Sequence, residues 1–140
     1  MSAPPDDPFP FTPVPRASAR HDGWTPGRQR AFIHALSRLG VVSAAADCAG
    51  VSARSAYNLL NRAGPDSGFA RAWREAQAAG RRAVRAAAWE RAVDGVEVPI
   101  FRKGVQVGTR RRYSDRLLAA LLRAQWREQG KGDGWFGWTT

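Results

Sequence analysis

The chain has 140 residues, 44% of them hydrophobic and 24% charged, enough for one small domain or two very small ones and too few for a large enzyme. Lysine and arginine number 22 against 12 aspartates and glutamates, a net charge of +10, and a field of that sign favours polyanions, nucleic acid ahead of an anionic membrane surface. The single Cys48, with only His21 and His34 as further soft ligands, excludes an intrachain disulfide and a zinc-finger scaffold.

No run of about 18 apolar residues occurs, and the N-terminal segment has prolines and aspartates where a signal peptide needs a basic patch and an apolar run. The expectation is a soluble, cytoplasmic protein without a membrane partner. Residues 1–22 hold six of the nine prolines (Pro4, Pro5, Pro8, Pro10, Pro13 and Pro15). Proline fixes φ and removes a backbone donor, so this segment reads as a disordered arm, although Phe9 and Phe11 are side chains that would dock if it were ordered.

Thr25 followed by Pro26 has the form of an N-cap with proline at the first helical position, and Phe32, Ile33, Leu36 and Leu39 then recur at helical spacing until Gly40. A short Ala-rich helix is predicted over 41–49, with Ser43 a candidate cap and Cys48 in its packing. Gly50 suits a left-handed turn, and Ser52 can cap a third helix running to about Arg62. Gly64, Pro65, Asp66 and Gly68 mark a break, after which residues 69–93 predict a long helix with ten alanines and with Gly80 as its weak point. Phe69, Ala76 and Ala83 fall seven residues apart in it and offer a close approach to another helix. Residues 96–101 and 105–111 are two β-prone runs around Arg102, Lys103 and Gly104, a hairpin with Pro99 on an edge strand. Ser114 then caps a last helix with Leu117, Leu118, Leu121 and Leu122 as its apolar stripe, ending near Gly130.

The fold class is therefore mainly α: a helix-turn-helix unit, a long helix, a β-hairpin and a final helix, preceded by a disordered arm. The expected regions are the arm over 1–22, a DNA-binding domain over 23–64, an oligomerisation region over 65–130 and an aromatic tail over 131–140.

The segment VVSAAADCAGVSARSAYNLLNR, residues 41–62, carries the strongest functional signal. A helix-turn-helix needs small residues where its helices cross, a residue tolerant of positive φ in the turn, and apolar anchors inside the second helix. Ala45, Ala46, Ala49, Gly50, Val51, Ala56 and Leu59 meet these needs in order. The outer face of the second helix then presents Ser52, Arg54, Ser55, Tyr57, Asn58, Asn61 and Arg62, types that bond base edges or phosphates. Five arginines against Asp47 give residues 23–64 a net +4, which favours DNA over the plainer account of a packed helix pair with a solvated polar face.

Here the sequence resembles the small terminase subunits of tailed bacteriophages and phage-like gene transfer particles, over residues 24–125. Besides the helix-turn-helix, the resemblance rests on Phe69-Ala70-Arg71-Ala72-Trp73 opening the long helix, Glu90-Arg91-Ala92-Val93-Asp94-Gly95-Val96 at its end, and Arg112-Tyr113-Ser114-Asp115-Arg116-Leu117-Leu118 after the hairpin. It implies a ring-forming, non-catalytic subunit that binds double-stranded DNA and delivers it to the large terminase subunit, an ATPase and nuclease. By the same resemblance the later helices assemble the homo-oligomer, a C-terminal segment meets the large subunit, and the setting is a bacterial or phage-infected cell.

Two further clusters have competing accounts. Arg110, Arg111 and Arg112 can hold phosphates, or can serve as charges that keep a hairpin edge from aggregating or as part of edge pairing between copies. Trp135, Phe136 and Trp138 suit a partner-binding tail, or pack back beside Trp126. No phosphate-binding loop of the GxxxxGK[ST] type occurs and the carboxylates are scattered among arginines, so no enzyme activity, cofactor or metal is expected. His34, beside Ile33, is read as a packed or boundary residue. The alternatives to a terminase subunit are a dimeric helix-turn-helix transcription regulator and an adaptor whose charge serves protein contacts.

Overall fold

A computed structural model of the chain describes residues 6–17 and 23–130. The elements run α1 (Pro26–Leu39), α2 (Val42–Ala49), α3 (Ala53–Ala63), α4 (Gly68–Asp94), β1 (Val96–Arg102), β2 (Val105–Arg112) and α5 (Asp115–Gln129). The chain is mainly α with one antiparallel hairpin and a final helix, as the periodicity and the turn residues predict. No helix among the described residues is long and apolar enough to cross a membrane.

Two compact units result, Met1–Val84 and Arg85–Thr140. The division lies inside α4, whereas composition suggests the loop after Gly64, because Phe69, Ala72, Trp73 and Ala76 are buried in one core with α1, α2 and α3.

In the first unit, Thr25 Oγ1 accepts from Arg28 N at 3.1 Å to cap α1, and Gly40 ends the helix at φ 68°. The buried stripe of α1 is Gln29, Phe32, Ile33 and Leu36. The Phe32 ring lies 4.8 Å from that of Trp73, which stands 5.9 Å from Phe69. Each such fully buried phenyl group contributes about 1.5–3 kcal/mol, so these aromatics are the centre of the core.

Gly80 is no weak point: α4 crosses the end of α1 there. A Cβ on Gly80 would overlap Leu36 O and Gly40 N and lie 2.7 Å from Gly40 Cα, and one on Gly40 would lie 2.7 Å from Arg81 N. The crossing is backbone against backbone, a contact only glycine permits. Of the three residues spaced by seven in α4, Phe69 and Ala76 are buried and Ala83 is exposed.

The disordered arm is corrected over residues 6–17. Phe11 and Val14 are buried in the core, with the Phe11 ring edge-on to Phe69 at 5.6 Å. Gln29 supplies the polar half of the docking: its amide accepts from Val14 N at 2.8 Å and donates to Val14 O at 2.9 Å. Proline-rich backbone has few groups to satisfy, so two apolar anchors and one buried amide suffice to hold it. Three smaller expectations also change. Cys48 and His34 are exposed rather than packed, because both face away from the stripes that meet the core. The N-cap of α2 is Val41, with no side-chain cap bond, in place of Ser43.

In the second unit β1 and β2 pair from Val96↔Arg112 to Arg102↔Val105. Lys103 at φ 53° and Gly104 at φ 77° form the turn, the two successive positive φ values that a tight hairpin turn with right-handed twist requires. Ser114 Oγ accepts from Leu117 N at 3.2 Å to cap α5. Leu117, Leu118, Leu121 and Leu122 are half-buried, and Ala92 is the one buried residue among the described residues of this unit. Arg85 and Glu128 form a two-pronged ion pair between the C-terminal part of α4 and α5. It holds the Glu128 carboxyl below its ordinary range, chiefly through the hydrogen bond from Arg85, and raises Arg85 for the same reason.

Candidate nucleic-acid interface

The turn between α2 and α3 is closed on both sides by backbone and side-chain bonds. Gly50 takes the left-handed conformation at φ 72°, ψ 31°, Val51 N donates to Ala46 O at 3.0 Å and Gly50 N to Asp47 O at 3.2 Å. This is the double-bonded helix stop that satisfies the last carbonyls of a helix. Two residues later Ser52 Oγ accepts from Ser55 N at 3.1 Å and starts α3. A left-handed glycine and a serine cap this close together turn the chain sharply and fix where α3 leaves the turn.

Small side chains set how closely the two helices meet. Ala45, Ala46 and Ala56 are fully buried and Leu59 is 1% exposed, so the inner face of α3 is the one the spacing predicts. Its outer face divides into two groups. Arg54, Asn58 and Asn61 are exposed and lie at intervals of four and three residues along one side of the helix. The others are partly engaged within the protein. Ser52 is the cap, and Ser55 is half-buried, its Oγ accepting from Trp24 Nε1 at 2.7 Å. Tyr57 is 49% exposed with its ring 5.4 Å from Trp73, and Arg62 donates to Pro15 O at 3.2 Å. Arg62 remains exposed, so it holds the docked segment and faces solvent at once.

Trp24 and Gln29 brace the candidate site, and neither is singled out by the sequence pattern. Trp24 packs edge-on to Phe32 at 5.6 Å while its indole reaches the first turn of α3, and Gln29 Nε2 donates to Trp24 O at 3.1 Å. Together they tie α1, residues 12–15 and the N-terminal turn of α3 into one frame. The signal was present for Gln29, an amide on the apolar stripe of α1, since a polar group in such a place must find partners.

Arg110, Arg111 and Arg112 lie on β2, in the second unit, and all three are exposed. Arg111 is engaged, donating to Asp94 O and, at 3.3 Å, to Glu97 Oε1. The aromatic tail with Trp135, Phe136 and Trp138 lies outside the described residues. Among the described residues no group of three or more His, Cys, Asp or Glu is placed to hold a metal ion. The chain matches no family model, no curated protein and no solved structure.

Proposed function

We propose that this chain is the DNA-recognition subunit of a phage-type genome-packaging terminase, reading double-stranded DNA with α3 and working as a homo-oligomer, a ring, that passes DNA to a large ATPase and nuclease subunit. One observation carries the DNA part. The α2–Gly50–α3 unit has a closed turn, a small-residue crossing and an outer face bearing Arg54, Asn58 and Asn61 in a chain of net charge +10. Arginine pairs with guanine and asparagine with adenine through two hydrogen bonds each, so these side chains can select sequence. The charge supplies the sequence-independent attraction. The packaging role rests on the ordered sequence motifs that resemble small terminase subunits. On this reading the chain does no chemistry itself, and Trp135, Phe136 and Trp138 are its contact with the large subunit.

Fluorescence anisotropy on duplex DNA, with light scattering for the mass in solution, tests the proposal. Arg54→Ala with Asn58→Ala is expected to weaken binding tenfold or more, at about 1–3 kcal/mol for each lost two-bond contact, with helicity and melting temperature unchanged. Unchanged affinity removes α3 as the reader. A closed assembly of many chains fits a terminase subunit, and a dimer on a two-fold site fits a transcription regulator.

A further inference from the structure

The hairpin is the most exposed and most cationic element of the second unit. Every residue from 99 to 112 is exposed, and Arg102, Lys103, Arg110, Arg111 and Arg112 face a single acid, Glu97. The register sorts these cations. Arg110 stands opposite Val98 and Arg112 opposite Val96, while Arg111 stands opposite Glu97. Alternate residues of a strand point to opposite faces, so Arg110 and Arg112 share one face and Arg111 occupies the other. There Arg111 is spent on the Asp94 carbonyl and the Glu97 carboxylate, fastening the base of the hairpin.

We infer that the hairpin is a second DNA contact, a two-stranded ribbon that grips duplex phosphates through Arg102 and Lys103 at its tip and Arg110 and Arg112 at its base. Arg111 is a structural fastener. The inference rests on the DNA-recognition reading and deepens it by naming a second element for the same partner. From Arg102 to Val98, the partner of Arg110, is four residues on the unbulged strand, about 14 Å at roughly 3.4 Å per residue. That exceeds the major-groove width of about 12 Å, and this groove admits a two-stranded ribbon. Laid across the groove, a ribbon of that length brings tip and base cations to phosphates on opposite walls.

Pairing with a second copy is the other occupant such a ribbon invites, and three features oppose it. Pro99 has no N–H to give a neighbour on the β1 edge. The β2 edge carries three consecutive arginines, which repel their counterparts in a copy. The pairs Ile100↔Gly108 and Phe101↔Gln106 leave Val107 unpaired, a bulge that bends the β2 edge.

The test uses the full chain and a fluorescent duplex titrated between about 50 and 200 mM salt. The variant replacing Arg102, Lys103, Arg110 and Arg112 by Gln keeps the side-chain stems. It is expected to make the log K against log salt slope shallower by up to about 3.6, at roughly 0.9 per phosphate contact. Arg102→Lys with Arg110→Lys and Arg112→Lys keeps the charge and is expected to keep the slope, which separates lost charge from a damaged hairpin. If the wild type binds DNA and the Arg54/Asn58 variant weakens it, but the Gln variant keeps the wild-type slope, the hairpin inference is overturned and the α3 reading stands. A Gln variant that alters the mass in solution while keeping the slope also overturns it and assigns the hairpin to contacts between copies. Absence of any wild-type binding removes the DNA reading and the inference together, whereas a slope lost only in the Gln variant leaves the hairpin and removes α3.

Discussion

Val14 and Gln29 are joined by two hydrogen bonds, Val14 N–H to Gln29 Oε1 and Gln29 Nε2 to Val14 O, so that a side-chain amide takes the place of a neighbouring strand. Gln29 is fully buried and its third bond goes to Trp24 O. Gln29→Leu keeps most of the volume and leaves these backbone groups without partners, each at about 1–3 kcal/mol where water cannot reach them. The expected result is a loss of at least that size in urea denaturation, with new protease cleavage within residues 6–17. Unchanged cleavage there would mean that Phe11 and Val14 hold the segment unaided.

Gly80→Ala separates the local from the tertiary role of a residue. In an exposed helix interior the change is favourable by about 1 kcal/mol. Here the new methyl group meets the backbone at Leu36 and Gly40, which cannot move aside as a flexible side chain can. A destabilisation of about 3 kcal/mol or more is expected. Gly50→Ala is the contrast: nothing lies within 4 Å of the added Cβ, but φ is +72°, so the expected cost is only the 1–2 kcal/mol or so of a left-handed alanine. Equal effects at the two sites would remove the crossing as the cause.

Elements were more legible in the sequence than their partners. The caps at Thr25, Ser52 and Ser114 and the stop at Gly40 follow from local chemistry, and each functions in the structure as its residue type predicts. The inner face of α3 was legible too, because Ala56 and Leu59 sit at helical spacing. What local rules cannot carry is contact between distant segments. Proline content describes the stiffness of residues 6–17 and says nothing of a core surface open to Phe11, and glycine propensity describes Gly80 without the backbone that crosses it. The outer face of α3 fell between these cases. Its exposure follows from periodicity, but the engagement of Ser55 by Trp24 and of Arg62 by Pro15 depends on segments far away in sequence.

Trp24→Phe deletes the indole donor and leaves an aromatic ring against Phe32. Its partner, Ser55 Oγ, is lost in Ser55→Ala. A net hydrogen bond of this kind contributes about 0.5–1.5 kcal/mol, so a double-mutant cycle of the two changes is expected to give a coupling of that size. Zero coupling would show that the bond does not hold the start of α3.

Acidification tests the Arg85–Glu128 pair. The folded state holds Glu128 below its unfolded value, so its stabilisation is fully present above the unfolded value and is lost as pH falls through the lowered folded value. Arg85, raised from an already high value, stays charged throughout and adds no pH dependence in that window. Both groups are exposed, so the effect is expected to be small and weakened by salt. Glu128→Gln should remove it, and an acid transition identical in the variant would assign the pH response to other carboxylates.

The edge-on contact of Phe11 with Phe69 bears on the order in which the molecule is made. A ribosome delivers Phe11 well before Phe69, and α1, α2 and α3 emerge in between. The segment around Phe11 therefore cannot close onto its final seat until the first turn of α4 has been synthesised. A nascent chain halted shortly before Phe69 would lack the ring that Phe11 meets edge-on, and would leave that side of Phe11 uncovered.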